Sequence, residues 1–342
     1  MTTRKNFVHY NMKKNELTSL WEPTNPQFNR EEPMQVGGQA VIEGVMMRAK
    51  GMIATAVRRP SGEIVVMKEE YRSIAERYPL FKIPILRGAV GLIEMMYIGV
   101  KTLNYSAGIA MEGTPRGKSR KEQTAAGLIA TLVFSLGLGI CIFFFLPLFI
   151  ATRFFSVEQS PFAFNVVAGA VRIAILLLYL YGISLSKDIH RLFQYHGAEH
   201  KAVFTFEQDA PLEVDSALRY TRFHPRCGTS FILIVMVLSI ILFSFLDQIT
   251  LLFVASLTLP LRLMTHLPFV PIVGGISYEF LRYSAKHSTS PLGRILVAPG
   301  LWLQKITTKE PDENQMQVSL AALKAALRLD DAVQTRQQAA VN

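Results

Sequence analysis

The sequence predicts an α-helical membrane bundle of about four transmembrane helices, with a small cytoplasmic α+β module built from its N-terminal and C-terminal parts. Three observations predict it. Half of the 342 residues are hydrophobic and only 18% are charged, against about a quarter charged in an ordinary soluble domain. The apolar residues are gathered into blocks long enough to cross a bilayer. A net charge of +10 accompanies them without an aromatic–basic motif. That pattern fits Lys and Arg on cytoplasmic loops and argues against a nucleic-acid partner.

Residues 1–35 read as a polar disordered tail. Their charges are mixed, and they have neither an apolar core nor a small-residue cleavage site, so no cleavable signal peptide is expected. Residues 36–82 read as a small β-rich element. Short apolar runs at 53–59 and 63–68 flank Pro60-Ser61-Gly62, where Pro sets φ and Gly accepts a positive one. A third strand is predicted over 40–48. Residues 83–112 form an apolar stretch broken by Pro84, Arg87, Glu94 and Lys101. It is too charged for a comfortable span and suits an interfacial or bundle-packed helix.

The membrane domain is predicted over 125–290. Its spans are 125–150, 164–186 with Arg172 inside, 229–246, and 249 to about 264. The last follows directly on Asp247-Gln248, is interrupted by Pro260, and is either broken or continued by the apolar run 269–280. Lys and Arg are concentrated before the first span and in the loop 187–228, whereas 151–163 and 247–248 hold only Arg153. The positive-inside rule then puts this loop and both termini in the cytoplasm, making a multi-pass protein of the cytoplasmic (inner) membrane. Residues 291–342 are predicted as a cytoplasmic docking region. Pro311, Asp312 and Glu313 mark a helix start, and Leu320, Leu323 and Leu327 form one apolar stripe facing the β element.

The chemistry is concentrated in His196-Gly197-Ala198-Glu199-His200. This is an H-x-x-E-H run, the order in which one class of zinc hydrolases sets two metal-binding imidazoles and a proton-handling carboxylate. On a helix, i and i+4 share a face, so both histidines reach one ion. A second cluster, His224-Pro225-Arg226-Cys227, stands just before the third span. Thiolate and neutral imidazole are the ligands zinc prefers. His196, His200, Cys227 and His224 are therefore candidate ligands, with the distant Glu279 as another. Taken singly, each such residue more often only hydrogen-bonds backbone or headgroups, or packs as a small hydrophobe. The two clusters together favour metal. Glu43, between glycines, reads as a ligand, a base, or a partner of Arg48 or Arg87, and Glu279 has Arg282 as an alternative partner. His190 and His287 read as surface residues and His266 as a helix-end residue. Cys141 and Cys227 lie in unlike settings, so no disulfide is expected.

Five ordered motifs, GGQAVIEGVMMR, HGAEHKAV, HPRCGTSF, PIVGGISYEFLRYSA and PGLWLQKITTKEPDENQMQVSLAAL, make residues 36–327 resemble the YqhQ-like family of bacterial and plastid membrane proteins. The resemblance implies an uncharacterised membrane protein labelled as a predicted metal-dependent enzyme. It matches at Glu43, His196, Glu199, His200, His224, Cys227 and Glu279.

The resulting expectation is a zinc-dependent hydrolase at the cytoplasmic membrane face, acting on a membrane-associated substrate. Zinc, or another divalent ion, would be held by His196, His200 and Cys227, with His224 or Glu279 completing the shell, and Glu199 would act as catalytic base. The alternative is a metal-stapled scaffold or assembly factor that binds a membrane-protein partner, because a thiolate blunts Lewis acidity. A transporter is less well supported, since Arg172 is the one charge within the first three expected spans.

Overall fold

A computed structural model describes residues 7–9, 36–49, 51–113, 125–155, 157–158, 160–287 and 290–329. The chain combines an N-terminal antiparallel sheet with a set of long helices. Four of these helices, Val133–Phe154, Pro161–Ser184, Gly228–Thr250 and Leu259–Ser284, are long and apolar enough to cross a membrane.

The sheet has five strands, β1 (Phe7–His9), β2 (Gly37–Val41), β3 (Gly44–Ala49), β4 (Met52–Arg58) and β5 (Ile64–Glu70), in the order β1-β5-β4-β3-β2. The two runs around Pro60–Gly62 form β4 and β5. Arg59 N donates to the Glu63 carbonyl at 2.8 Å, and Gly62 takes φ 91°. The stretch predicted as one strand over 40–48 divides in two. Ile42-Glu43 make a two-residue turn with Glu43 at φ 52°, so Val41 pairs with Gly44. A Cβ at position 44 would collide with the Ala56 carbonyl, so glycine is required there. Of the expected tail, Phe7–His9 pairs with β5 as an edge strand, a departure from the disordered reading. The remainder of 1–35 lies outside the described residues.

Alternation along the strands sends side chains to both faces. Val45, Met47, Ala54 and Ala56 pack on one side with Tyr195, Ala198, Met316 and Leu323. Val41, Met46 and Ile53 pack on the other with Ile98. The sheet is therefore covered on both faces, which is why the run Met52–Val57 is buried throughout without alternation.

Helix α1 (Ile74–Arg77) is a single turn. The stretch predicted as interfacial or bundle-packed is helix α2 (Leu86–Ala110), and it joins the two parts of the molecule. Ile98 meets the sheet, Gly88 abuts Gly275, and Arg87 forms a two-pronged ion pair with Glu279. Buried Glu94 accepts from Ser73 Oγ at 2.7 Å and Ile74 N at 2.5 Å, so one of its charge-breaking residues is a structural anchor.

The first span comprises α3 (Ala125–Ile140), a π-helical turn at Cys141–Phe145, and α4 (Leu146–Phe154). Helix α5 (Pro161–Ser184) is the second. The region expected as the loop 187–228 is largely helical, with α6 (Lys187–Glu207) and the short α7 (Val214–Leu218). The third span, α8 (Gly228–Thr250), runs beyond Asp247, and the fourth, α9 (Leu259–Lys286), starts ten residues later than expected and contains Pro268 and Pro271. Asp247 does not mark a boundary because it is fully buried. It accepts from Asn165 Nδ2 at 2.7 Å, bonds His266 Nε2 at 2.8 Å and pairs with Arg262. His266 is accordingly an interior residue and not a helix-end one.

Helix α10 (Pro291–Thr307) leads to α11 (Glu313–Ala326). Asp312 and Gln315 close a reciprocal capping box at the predicted start of α11. The helix lays Met316, Leu320 and Leu323 onto the sheet and α6. Residues beyond 329 and the basic stretch 116–121 lie outside the described residues.

Candidate metal centre

Helix α6 carries His196, Glu199 and His200, as the i, i+4 spacing requires. Cys227 is the N-cap of α8, its Sγ accepting from Thr229 N at 3.4 Å. The two meet because the linker 219–227 folds back onto residues 304–310. Gln304 brackets His224, accepting from its N at 2.8 Å and donating to its carbonyl at 2.7 Å. Arg222 donates to the Thr308 carbonyl at 2.5 Å and pairs with Glu310 at 3.1 Å.

The result is a cluster in which ligand atoms of His196, His200 and Cys227 all lie within 4.8 Å of one another. Around a tetrahedral zinc with bonds of about 2.0–2.3 Å, neighbouring ligand atoms stand roughly 3.3–3.7 Å apart. Cys227 Sγ and His196 Nε2 are 3.2 Å apart. The other nitrogen of each ring faces a backbone carbonyl. His196 Nδ1 is 2.8 Å from the Thr307 oxygen, and His200 Nδ1 is 2.5 Å from that of Arg222. A carbonyl only accepts, so both Nδ1 atoms carry protons and both Nε2 atoms turn inward. This is the outer hydrogen bonding that metal-binding histidines use. His200 Nε2 is buried with no hydrogen-bond partner, and approaches Glu199 Oε2 at 3.5 Å without forming one. An orphaned imidazole nitrogen beside a thiol and a second inward nitrogen suits a cation.

Electrostatics agree with the geometry. Burial pushes the Cys227 thiol up, but the neighbouring imidazoles outweigh it and hold the thiol well below its usual range. Burial likewise opposes charge on His196, yet Cys227 raises it to about 9. The pair thus favours thiolate and imidazolium, the charge state in which the two side chains attract one another across 3.2 Å.

Two expected ligands are engaged by other groups, although the His224 ring lies 5.7 Å from that of His200. His224 Nδ1 accepts from Arg226 N at 3.2 Å and Nε2 lies 3.3 Å from Glu207, so both its nitrogens are engaged; burial holds the ring neutral. Glu279 is bound by Arg87, whose Nε and Nη2 both donate to its carboxylate. Glu43, on the β2–β3 turn, is clamped by Arg191, with Tyr195 Oη at 3.3 Å, not by Arg48 or Arg87. Sequence reasoning missed the segment 307–310, whose contribution is backbone carbonyls. No side-chain type announces such a role, although the segment falls inside the last of the five motifs. It also missed two glycines. A Cβ at Gly197 would overlap the Lys309 carbonyl oxygen, and one at Gly38 would stand 2.9 Å from Glu199 Cγ.

A family model described as "Protein of unknown function (DUF1385)" matches residues 83–329. The chain belongs to the DUF1385 family. It is similar to "Uncharacterized protein YqhQ" of Bacillus subtilis (strain 168), at 34% identity over 311 residues, 87% of this chain and 94% of the relative. No solved structure matches. The family match takes in the spans and the cluster of this DUF1385 protein. Neither description mentions a metal, so a metal centre is argued from the geometry alone.

Proposed function

We propose that His196, His200 and Cys227 hold a divalent ion, zinc by ligand chemistry, at the cytoplasmic face of the membrane, and that the centre is hydrolytic. The observation that carries the reading is the pair of inward Nε2 atoms, each fixed by a backbone carbonyl behind it, one of them otherwise unpartnered. Three protein ligands leave a fourth position open, as in catalytic rather than structural zinc sites. The ion supplies Lewis acidity there. Glu199, buried beside His200, takes the proton at its carboxylate, and Gly38 leaves it room. The substrate class is a membrane-associated molecule with a peptide or amide bond, since the cluster stands where the N-terminus of the apolar helix α8 meets α6. The cytoplasmic side follows from Lys187, Arg191, Lys201, Arg219, Arg222 and Arg226 at this end of the helices.

A metal-stapled scaffold is favoured by one observation. Glu199, His200 and Cys227 are nearly sealed, at 5%, 2% and 6% exposure. The ion then fastens α6, the 222–227 turn and the end of α10 together, and a membrane-protein partner binds the module. Glu199→Gln distinguishes the two. Under the hydrolytic reading the variant keeps its zinc and melting temperature while a deletion strain's phenotype is not rescued. Rescue by Glu199→Gln with full zinc would leave only the scaffold.

A further inference from the structure

The other end of the bundle carries charges that the metal centre does not use. Asp247 lies about 30 Å along α8 from Cys227 at 1.5 Å per residue. It is bound by Arg262, His266 and Asn165. One to two turns deeper, Arg172 donates to the Phe143 carbonyl, in the π-helical turn, at 3.0 Å and to Ser239 Oγ at 3.0 Å. It also stands 5.1 Å from the Phe144 ring centre and 5.8 Å from that of Phe243. His266 stacks on the same Phe243 ring at 4.2 Å.

The charges do not balance. The one buried carboxylate, Asp247, pairs with Arg262, and among the described residues no carboxylate pairs with the second buried guanidinium, Arg172. Glu158 is within electrostatic reach of Arg262 but is exposed to solvent. Arg262 Nη2 and His266 Nδ1 are buried without hydrogen-bond partners. Exposures of 6%, 1% and 0% for Arg172, Arg262 and His266 rule out snorkelling to headgroups. A guanidinium sealed between membrane helices is retained where a counter-charge or backbone carbonyls meet it, and Arg172 has one carbonyl and one hydroxyl.

We propose that this cluster binds a small monovalent inorganic anion, of the halide class, between Arg172 and the Arg262–His266 pair. The sealed surroundings exclude a lipid phosphate with its glycerol and chains. The cationic excess selects an anion over a second cation. The inference is independent of the metal centre.

The test uses purified full-length protein in detergent, exchanged into gluconate and titrated with sodium bromide at constant ionic strength. Melting should rise saturably, by roughly 5 °C at a hundredfold excess over the dissociation constant. Arg172→Gln, which keeps a donor but not the charge, should lose the bromide response and melt in gluconate no lower than the wild type. Asp247→Asn should have the opposite effect, with a lower melting point in gluconate and a larger bromide gain. Identical wild-type melting in gluconate and bromide would overturn the proposal. So would an undiminished response in Arg172→Gln, or a smaller gain in Asp247→Asn than in the wild type.

Discussion

Gly197→Ala sets two effects of opposite sign against each other. Within a helix, alanine is favoured over glycine by about 1 kcal/mol, so on propensity alone the variant gains stability. The added Cβ, however, would overlap the Lys309 carbonyl oxygen and stand 3.2 Å from its carbon. That strand of chain is held to α6 by Lys309 N donating to the Phe193 carbonyl at 2.8 Å, by His196 Nδ1 on the Thr307 carbonyl at 2.8 Å, and by Gln194 on the Glu310 carbonyl at 3.3 Å. Overpacking against backbone costs about 1–3 kcal/mol, and each hydrogen bond stretched adds about 1. The clash therefore wins, with a net loss of about 2 kcal/mol and a fall in melting temperature of roughly 3–4 °C. Because the displaced carbonyl of Thr307 orients His196, zinc affinity should also fall about 10–100-fold. Thermal melting followed by competition with a chromogenic zinc chelator measures both. A variant that melts higher than the wild type with unchanged zinc affinity would refute the reasoning.

Other consequences follow from the same contacts. Wild-type protein should carry close to one zinc per chain by elemental analysis, and His196→Ala/His200→Ala none; equal metal in both removes the proposed centre. Cys227→Ser should weaken zinc binding strongly, whereas His224→Gln should leave the stoichiometry intact because that ring faces Glu207 and Arg226; metal loss in His224→Gln alone would restore it as a ligand. Asp312→Ala, which opens the capping box of α11, should cost about 1 kcal/mol in urea unfolding and leave zinc content unaltered.

Much of this architecture is written in local pattern. Three membrane-length blocks, the turn at Pro60–Gly62 and the start of the final helix are each decided by residues close together in sequence, so composition and spacing are enough. The i, i+4 histidines likewise share a helix face whatever surrounds them. The fourth span continues through 269–280, but its start differs from the expected one because a buried Asp247 looks identical to a loop aspartate until Arg262 and His266 are seen to neutralise it. The single strand expected over 40–48 failed for a related reason: a turn made by a left-handed Glu43 lacks the usual glycine signal, and Arg191 reaches that residue from 148 positions away.

What the sequence determined by itself was the material: apolar lengths, a metal-ligating alphabet, and the helix that presents two imidazoles together. Tertiary structure alone decided which candidate ligands meet. It brought Cys227 to His196, turned the His224 nitrogens toward Glu207 and Arg226 and bound Glu279 to Arg87, because proximity between distant residues is set by how the 304–310 segment folds against α6. It also chose the ring nitrogens, since the carbonyls of Thr307 and Arg222 belong to every peptide unit and acquire meaning only where the chain places them.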